Sequence, residues 1–249
     1  MDMLARVGEA ARFAWLATLA LPSARFSAML VQLHHVLVGG LPLAATAGAA
    51  IGLVSWLHLR EAVARTALPG AVLHLPAYYA LAVVLVLAPL AAGLITAGRT
   101  GASLGAELGS MTLTEQVDAL EVLGRPALKE LVAPRLLACM LALPVLTVLV
   151  AYLALAAGWL AEMAGGTLTS TQYQAAILRE LRLGQVVAHT LKTVAYGWLI
   201  GLAGCWQGLE ARGGTEGVGK AATRAVVASI FLVLLADVVL VWVIQALAG

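Results

Sequence analysis

Charged residues are scarce in this chain of 249 residues: Asp, Glu, Lys and Arg make up 11% of it, against about 25% in an ordinary globular protein. So little charge cannot cover a water-soluble surface, which excludes a soluble globular protein. The 62% of hydrophobic residues excludes a disordered chain. Two cysteines are too few for a disulfide-stapled secreted module, and a net charge of +2 gives no basic surface for nucleic acid. The composition indicates an integral membrane protein with little soluble mass.

Long runs without charged residues locate the membrane spans. A helix needs about 20 residues to cross the hydrocarbon layer, and these runs lack the alternation, about 10 residues long, that marks barrel strands. They predict an all-α membrane protein that forms a single domain over residues 1–249. Its five transmembrane helices are expected near residues 36–59, 77–98, 136–159, 190–209 and 225–247.

The basic residues predict the orientation of these helices. Of the 15 Lys and Arg residues, ten precede the first span or lie in the second and fourth loops. The other five, which include Lys192 at the edge of the fourth span, fall on the opposite side. The positive-inside rule then places the N-terminus in the cytoplasm and the C-terminus on the outer side of the membrane.

Residues 1–25 have the pattern of an amphipathic helix, which Pro22 ends. The polar face would carry Asp2, Arg6 and Glu9, and the apolar face Leu4, Val7, Ala11 and Trp15. We predict a helix lying in the cytoplasmic membrane interface, with a weakly structured tail as the alternative. No compact apolar core with a small-residue cleavage site follows the first basic residues, so we expect no signal peptide.

Few residues of the spans suggest chemistry. Cys139 and Cys205 both fall in predicted spans and are expected to be small packing residues. His34 and His35 are adjacent and point to different helix faces, so we expect no metal site. Catalytic pairs or triads are not visible at either membrane face, which argues against an enzyme.

Residues 98–135 form the longest polar stretch, and they lie on the predicted cytoplasmic side. Glycines at 98, 101, 105 and 109 would place a smooth stripe on a helix, against which another backbone can pack closely. Thr114 is expected to cap a short new helix that Gly124 and Pro126 end. This helix has an acidic and an apolar face. It is either a docking element for a soluble partner or a solvated loop helix that covers the bundle.

Residues 208–224 contain a near-match to a phosphate-binding loop, with Gly214, Gly219 and Lys220 at the required spacing. The motif needs Ser or Thr next, where Ala221 stands, and it needs a preceding β-strand. We therefore reject nucleotide binding by this chain. The glycines are instead expected to form a compact cytoplasmic turn, with Arg224 at the start of the last span.

Asp237 is the single acid deep inside a predicted span. Acids at this depth are costly and usually face a partner inside the bundle. We favour a structural hydrogen bond to a neighbouring helix over a proton relay, since no second deep charge is apparent.

Two stretches resemble the signatures of the MlaE-type permeases, also called the YrbE family. The first is AGRTGASLGAELGSMTLTEQVDALEVLG, followed by Pro134–Arg135, and the second is GCWQGLEARGGTEGVGKAATRAVV. They cover much of residues 97–135 and 204–227. The resemblance implies a bacterial inner-membrane, non-catalytic ABC-transporter subunit that moves phospholipids or other hydrophobic lipids.

The resemblance also implies partners: a second permease copy in a homodimer, a cytoplasmic ATPase, a periplasmic MCE-domain protein and, in some systems, a STAS-domain subunit. No cofactor is expected on this chain, because the ATPase would bind ATP and Mg. In the family, the acidic loop helix is the coupling helix that inserts into the ATPase. Here it lies near residues 112–124, and its role falls on Glu107, Thr114, Glu115, Asp118, Ala119, Leu120 and Glu121.

The first span also resembles the family. Residues 48–58, GAAIGLVSWLH, follow its helix-one pattern, although His58 stands where Gln is usual. The lipid-facing candidates implied there are Leu53, Trp56 and Leu57.

One departure from the family falls in the second span. Many members carry Arg-Glu-Leu-Gly-Pro near its middle, and this chain has residues 85–89, LVLAP, so that only Pro89 remains. An altered lipid cargo or a heterodimer would fit this change. A scaffold subunit that transports nothing stays open as the alternative, whereas an intramembrane enzyme would need more polar residues than Asp237.

Overall fold

The computed structural model describes residues 3–65 and 71–248, and all regular structure in this part of the chain is helical. The helices are α1 (Met3–Ala20), α2 (Phe26–Arg65), α3 (Val72–Leu113), α4 (Gln116–Val122), α5 (Leu128–Gly165), α6 (Ser170–Glu180), α7 (Leu183–Leu209) and α8 (Gly214–Ala248). Helices α2, α3, α5, α7 and α8 are long and apolar enough to cross a membrane. The predicted all-α class with five spans is therefore confirmed.

The amphipathic pattern of residues 1–25 corresponds to α1, and Pro22 lies in a short 3₁₀ turn, Leu21–Ser23, that ends it. Asp2 and the side chains of Leu4 and Arg6 lie outside the described residues. Val7 and Trp15 of the predicted apolar face are exposed, whereas Ala17 is fully buried against the bundle.

The spanning helices are longer than the charge-free runs that predicted them. A charge-free run marks only the part that contacts hydrocarbon, and the helix continues beyond it into polar surroundings. The clearest difference is at α8, which begins at Gly214. The prediction of a turn up to Arg224 is wrong. Positive φ angles there are confined to Gly213 and Gly214, and an ion pair of 2.7 Å between Lys220 and Glu216 lies within the first turns of the helix.

Helix α2 packs along α5 through a stripe of small residues at four-residue spacing: Gly40, Ala44, Gly48 and Gly52. A Cβ atom on Gly48 would lie 2.8 Å from the Val150 carbonyl oxygen, and one on Gly52 would overlap the Ala154 backbone. Small residues let two membrane helices approach at backbone distance, where dispersion contacts hold them together. The stripe therefore sets how closely α2 and α5 pack.

We expect Gly52→Ala to lower the melting temperature of the purified protein in detergent. The added methyl group has no room beside the Ala154 backbone, and overpacking of this kind costs about 1–3 kcal/mol. Gly98→Ala is the matched control, since a Cβ atom at Gly98 meets nothing within 4 Å. Equal melting temperatures for the two variants would contradict the role of the stripe.

The predicted glycine stripe on the second span is confirmed as a helix contact. Cβ atoms on Gly101 and Gly105 would contact Ser229 and Ala225 of α8, and one on Gly109 would lie 3.2 Å from Ala211. Gly98 takes no part. Cys139 and Cys205 are buried in apolar clusters, as predicted for packing residues.

Candidate functional site

Helix α4 lies between the spans α3 and α5 and is anchored by its apolar side chains, chiefly Val117. Val117 is buried in an apolar cluster that also contains Ala17 of α1 and Leu131 of α5. Leu120 and Met111 pack against the same cluster. The short helix is therefore held through the apolar cluster at this end of the bundle, to which α1 also contributes.

The residues assigned to coupling fall mostly on the open side of α4 and its flanks. Glu115, Asp118, Ala119 and Glu121 are exposed, and Leu120 is half-buried. Two further apolar side chains, which the sequence analysis did not single out, are more prominent: Val122 is 88% exposed and Leu123 is 73% exposed. The helix thus presents carboxylates beside an uncovered apolar tip.

Thr114 does not have its predicted role as the cap of this helix. It lies at the end of α3, where its hydroxyl donates a hydrogen bond to the Ser110 carbonyl at 2.9 Å. The residue before α4 is Glu115, in the left-handed conformation with φ of 58° and without a side-chain cap. The hydroxyl oxygen of Thr114 accepts a hydrogen bond from the side-chain amide of Gln116 at 3.0 Å and none from a backbone N–H of α4, so it does not cap that helix. The predicted end of α4 is confirmed by Gly124, with φ of 72°.

Glu107 differs from the other coupling candidates because it has a partner inside the bundle. Its carboxylate lies 2.6 Å from the guanidinium of Arg135, which also donates to the Leu131 carbonyl at 2.7 Å. The Arg135 side chain is buried and that of Glu107 is partly exposed. This ion pair joins α3 to α5 on either side of α4 and braces the ends from which α4 projects.

The lipid-facing candidates on α2 divide into two kinds. Leu53 and Leu57 are exposed, whereas Trp56 has no exposed surface. Its ring packs edge-on against Tyr79 and Tyr173, at centroid distances of 5.1 and 5.2 Å. Trp56 is therefore not lipid-facing in this structure, because α3 and α6 cover it. Four-residue spacing from Gly48 and Gly52 places Trp56 on the packed face of α2.

Asp237 lies between two helices with a cationic partner. Its carboxylate lies 2.8 Å from the Lys192 ammonium, and the Tyr196 hydroxyl donates a hydrogen bond to the same oxygen. The side chains of Lys192 and Asp237 are 1% and 14% exposed. The expected link to a neighbouring helix is therefore present, but the expectation that no second deep charge exists is wrong. Lys192 lies ten residues inside α7 and points into the bundle.

The Leu85 carbonyl is a third group in contact with the Lys192–Asp237 pair, and Pro89 makes it available as an acceptor. Pro89 has no N–H, so the Leu85 carbonyl four residues earlier lacks its α-helical donor. The backbone around it forms a π-helical segment, Ala82–Leu87, and the Lys192 ammonium donates to the Leu85 oxygen at 3.2 Å. Pro89, which this chain retains from the family's Arg-Glu-Leu-Gly-Pro run, thus leaves the Leu85 carbonyl available to accept a hydrogen bond from Lys192 of α7.

No three His, Cys, Asp or Glu side chains among the described residues come close enough to share a metal ion.

The second segment of interest, residues 208–224, lacks the geometry of a phosphate-binding loop. Helix α7 rather than a β-strand precedes it, and Gly219 and Lys220 lie within helix α8.

The chain resembles known permeases over most of its length. The family model described as Permease MlaE matches residues 29–243. A probable ABC transporter permease protein of Rickettsia typhi is 37% identical over 151 residues, which are 61% of this chain and 58% of the relative.

Two further relatives come from other lineages. A probable ABC transporter permease protein of Synechocystis is 35% identical over 63% of this chain and 59% of the relative. The chloroplastic protein TRIGALACTOSYLDIACYLGLYCEROL 1 of Arabidopsis thaliana is 35% identical over 62% of this chain and 44% of its own length. The match thus spans less than two thirds of each of these relatives. Because the family model covers both polar segments and all five spans, this multi-pass membrane protein belongs to the MlaE permease family.

Proposed function

We propose that this chain is the permease subunit of an ABC transporter that moves phospholipids or related lipids between a bacterial inner membrane and a periplasmic MCE-domain protein. A separate cytoplasmic ATPase supplies the energy, and the chain itself catalyses no reaction and needs no cofactor. The observation that carries the proposal is α4, a short acidic helix that projects between two spans and is anchored to the bundle by Val117. A protein without an ATP site needs such a mechanical link to one that has it.

The distribution of apolar surface supports a lipid path beside α2 and α8. In an apolar 18-residue stretch of each spanning helix, 50% of the residues are buried in α3, α5 and α7, against 28% in α2 and 17% in α8. Leu53 and Leu57 belong to this uncovered surface. We propose that a second copy of the chain packs near it in a homodimer, and that lipid occupies the cavity between the copies.

The proposed mechanism is a shift between two states of this cavity. Closure of the ATPase pushes on residues 113–123, and the anchored α4 passes the movement to α1 and to the ends of α3 and α5. Helices α2 and α8 of the two copies then narrow the lipid cavity. The name of the Arabidopsis relative contains that of a galactolipid, trigalactosyldiacylglycerol, which is in keeping with a lipid cargo.

The orientation and remaining partners follow the same proposal. The N-terminus and α4 lie in the cytoplasm and the C-terminus in the periplasm, as the distribution of basic residues predicts. A STAS-domain subunit is a further candidate partner. The replacement of the family's Arg-Glu pair by Leu85 and Val86 favours one second candidate function, a scaffold subunit of the same kind of complex that transports nothing.

Reconstitution separates these two functions. The permease, co-purified with its ATPase, is placed in liposomes with a fluorescent phospholipid, and lipid extraction to an acceptor is followed with and without ATP. We expect extraction that requires ATP, with an ATPase variant unable to hydrolyse ATP as the control. ATP hydrolysis by the assembled complex without any lipid movement would favour the scaffold.

A further inference from the structure

A charged cavity of about 670 Å³ lies at the end of the bundle where α7 stops and α8 starts, and α1 forms its third side. This volume is within the range of ligand pockets, about 300–1,000 Å³. The residues that matter for its chemistry are Glu9, Trp206, Glu210, Arg212, Lys220 and Arg224. None of the functions above uses this cavity.

The charges that line the cavity are of both signs, and most of them are not paired. Lys220 is engaged by Glu216 at 2.7 Å. Within the described part of the chain, Arg212 and Arg224 have no carboxylate within 4.0 Å, and Glu9 and Glu210 have no cation at that distance. Two guanidinium groups and two carboxylates, all four on solvent-exposed residues, thus line one cavity without an ion-pair partner among the described residues.

This combination matches a ligand that carries an anion and a cation close together. Guanidinium groups bind phosphate through paired hydrogen bonds, and carboxylates accept hydrogen bonds from a primary ammonium group. We propose that the cavity binds the phosphoethanolamine head group of a membrane phospholipid, with Arg212 and Arg224 on the phosphate and Glu9 and Glu210 on the ammonium group.

The place of the cavity in the fold favours a lipid as the source of this head group. It lies where α7 ends and α8 begins, beside α1, whose Trp15 and Leu19 side chains are exposed. The ends of membrane-spanning helices are where lipid head groups are found. Phe13 of α1 packs on Trp206 with ring centroids 5.0 Å apart, and aromatic rings favour this interfacial depth. The bound lipid would hold α1 against the bundle. The inference concerns a lipid at this cavity and does not depend on which lipid the protein moves, or whether it moves one.

The test uses the full-length chain, delipidated in detergent, and counts bound lipid by native mass spectrometry. Phosphatidylethanolamine, phosphatidylglycerol and phosphatidylcholine are added at equal concentrations. We expect phosphatidylethanolamine to bind about tenfold more tightly than the other two, because only its head group has a positive charge that also donates hydrogen bonds. The quaternary ammonium of phosphatidylcholine has no N–H, and the hydroxyl donors of phosphatidylglycerol are uncharged. Arg212→Gln and Arg224→Gln should weaken binding of all three lipids, since all three share the phosphate.

The carboxylate variants test the recognition of the ammonium group specifically. Glu9→Gln combined with Glu210→Gln should reduce binding of phosphatidylethanolamine to the level of phosphatidylglycerol and leave the latter unchanged. Arg224→Lys keeps the charge but not the paired hydrogen bonds, so it should retain part of the binding. An unchanged melting temperature of Arg224→Gln excludes misfolding as the cause of its loss. Lys129→Gln removes one exposed charge elsewhere and should change nothing.

Equal affinity for the three lipids, or no effect of the Glu9 and Glu210 changes, would overturn the proposal. Complete displacement of phosphatidylethanolamine by inorganic phosphate would also overturn it and would indicate a free anion site. Failure of this test leaves the transport assay unaffected, so the two proposals fail separately.

Discussion

Replacing Lys192 with methionine, while Asp237 is kept, is expected to prevent most of the protein from accumulating in its folded form. The change leaves the Asp237 carboxylate between α7 and α8 without its cation, and it removes the ammonium donor from the Leu85 carbonyl. Removal of one partner of a buried ion pair costs about 3–5 kcal/mol. The measurement is the yield and melting temperature of the protein purified from membranes.

A second variant separates the charge from the packing. Lys192→Met combined with Asp237→Leu removes both charges, and replacement of a buried pair by apolar residues is often close to neutral. We expect this double variant to recover most of the lost stability, but not all of it, since the hydrogen bond from the Lys192 ammonium to the Leu85 carbonyl is lost at a cost of about 1–3 kcal/mol. Lys129→Met, at an exposed position, serves as the control. A single variant as stable as the wild type would contradict the pairing.

The double variant also tests whether charge near residues 85–86, where this chain lacks the family's Arg-Glu pair, takes part in transport. Lys192 donates a hydrogen bond to the Leu85 carbonyl within the segment that carries this departure, and its other partner is Asp237. If the folded double variant extracts lipid at the wild-type rate, the pair holds helices together and nothing more. If it is folded and inactive, charge at this depth is part of the transport mechanism.

Reversing two charges on α4, with Asp118→Lys and Glu121→Lys, is expected to abolish co-purification of the ATPase. Both side chains are exposed, and neither has a cation within 4.0 Å in the described part of the chain, so the permease itself should fold normally. The reversal changes the charge of the helix surface by four units, and like charges placed across an interface cost several kcal/mol. The readout is the amount of ATPase retained on affinity-tagged permease.

Matched variants make this result specific. Asp118→Asn with Glu121→Gln removes the charges without reversing them and should retain part of the ATPase. Glu180→Lys reverses an exposed acid at the end of α6, on the opposite side of the proposed topology, and should retain all of it. Normal assembly of the reversed variant would contradict the assignment of α4 as the coupling helix.

Much of the fold could be predicted because its strongest determinant is local. Hydrocarbon excludes charge, so the charge-free runs mark the five spans whatever their neighbours are. The end of α4 at Gly124 is local too, since the chain needs a positive φ angle there that glycine adopts without strain. The glycines at 101, 105 and 109 indicated a close helix contact, although not that α8 and the Ala211 turn would provide it.

Composition and charge pattern are enough to establish the membrane environment, the number of spans and the acidic helix between two of them. Which side chains meet depends on how the helices pack. Lys192 looked like the edge of a span, yet it pairs with Asp237, 45 residues away, because α7 and α8 pack side by side. Trp56 looked lipid-facing, yet α3 and α6 cover it. In a chain that is apolar on nearly every helix face, hydrophobicity cannot distinguish a face that packs on protein from one that contacts lipid, so close backbone packing makes that choice.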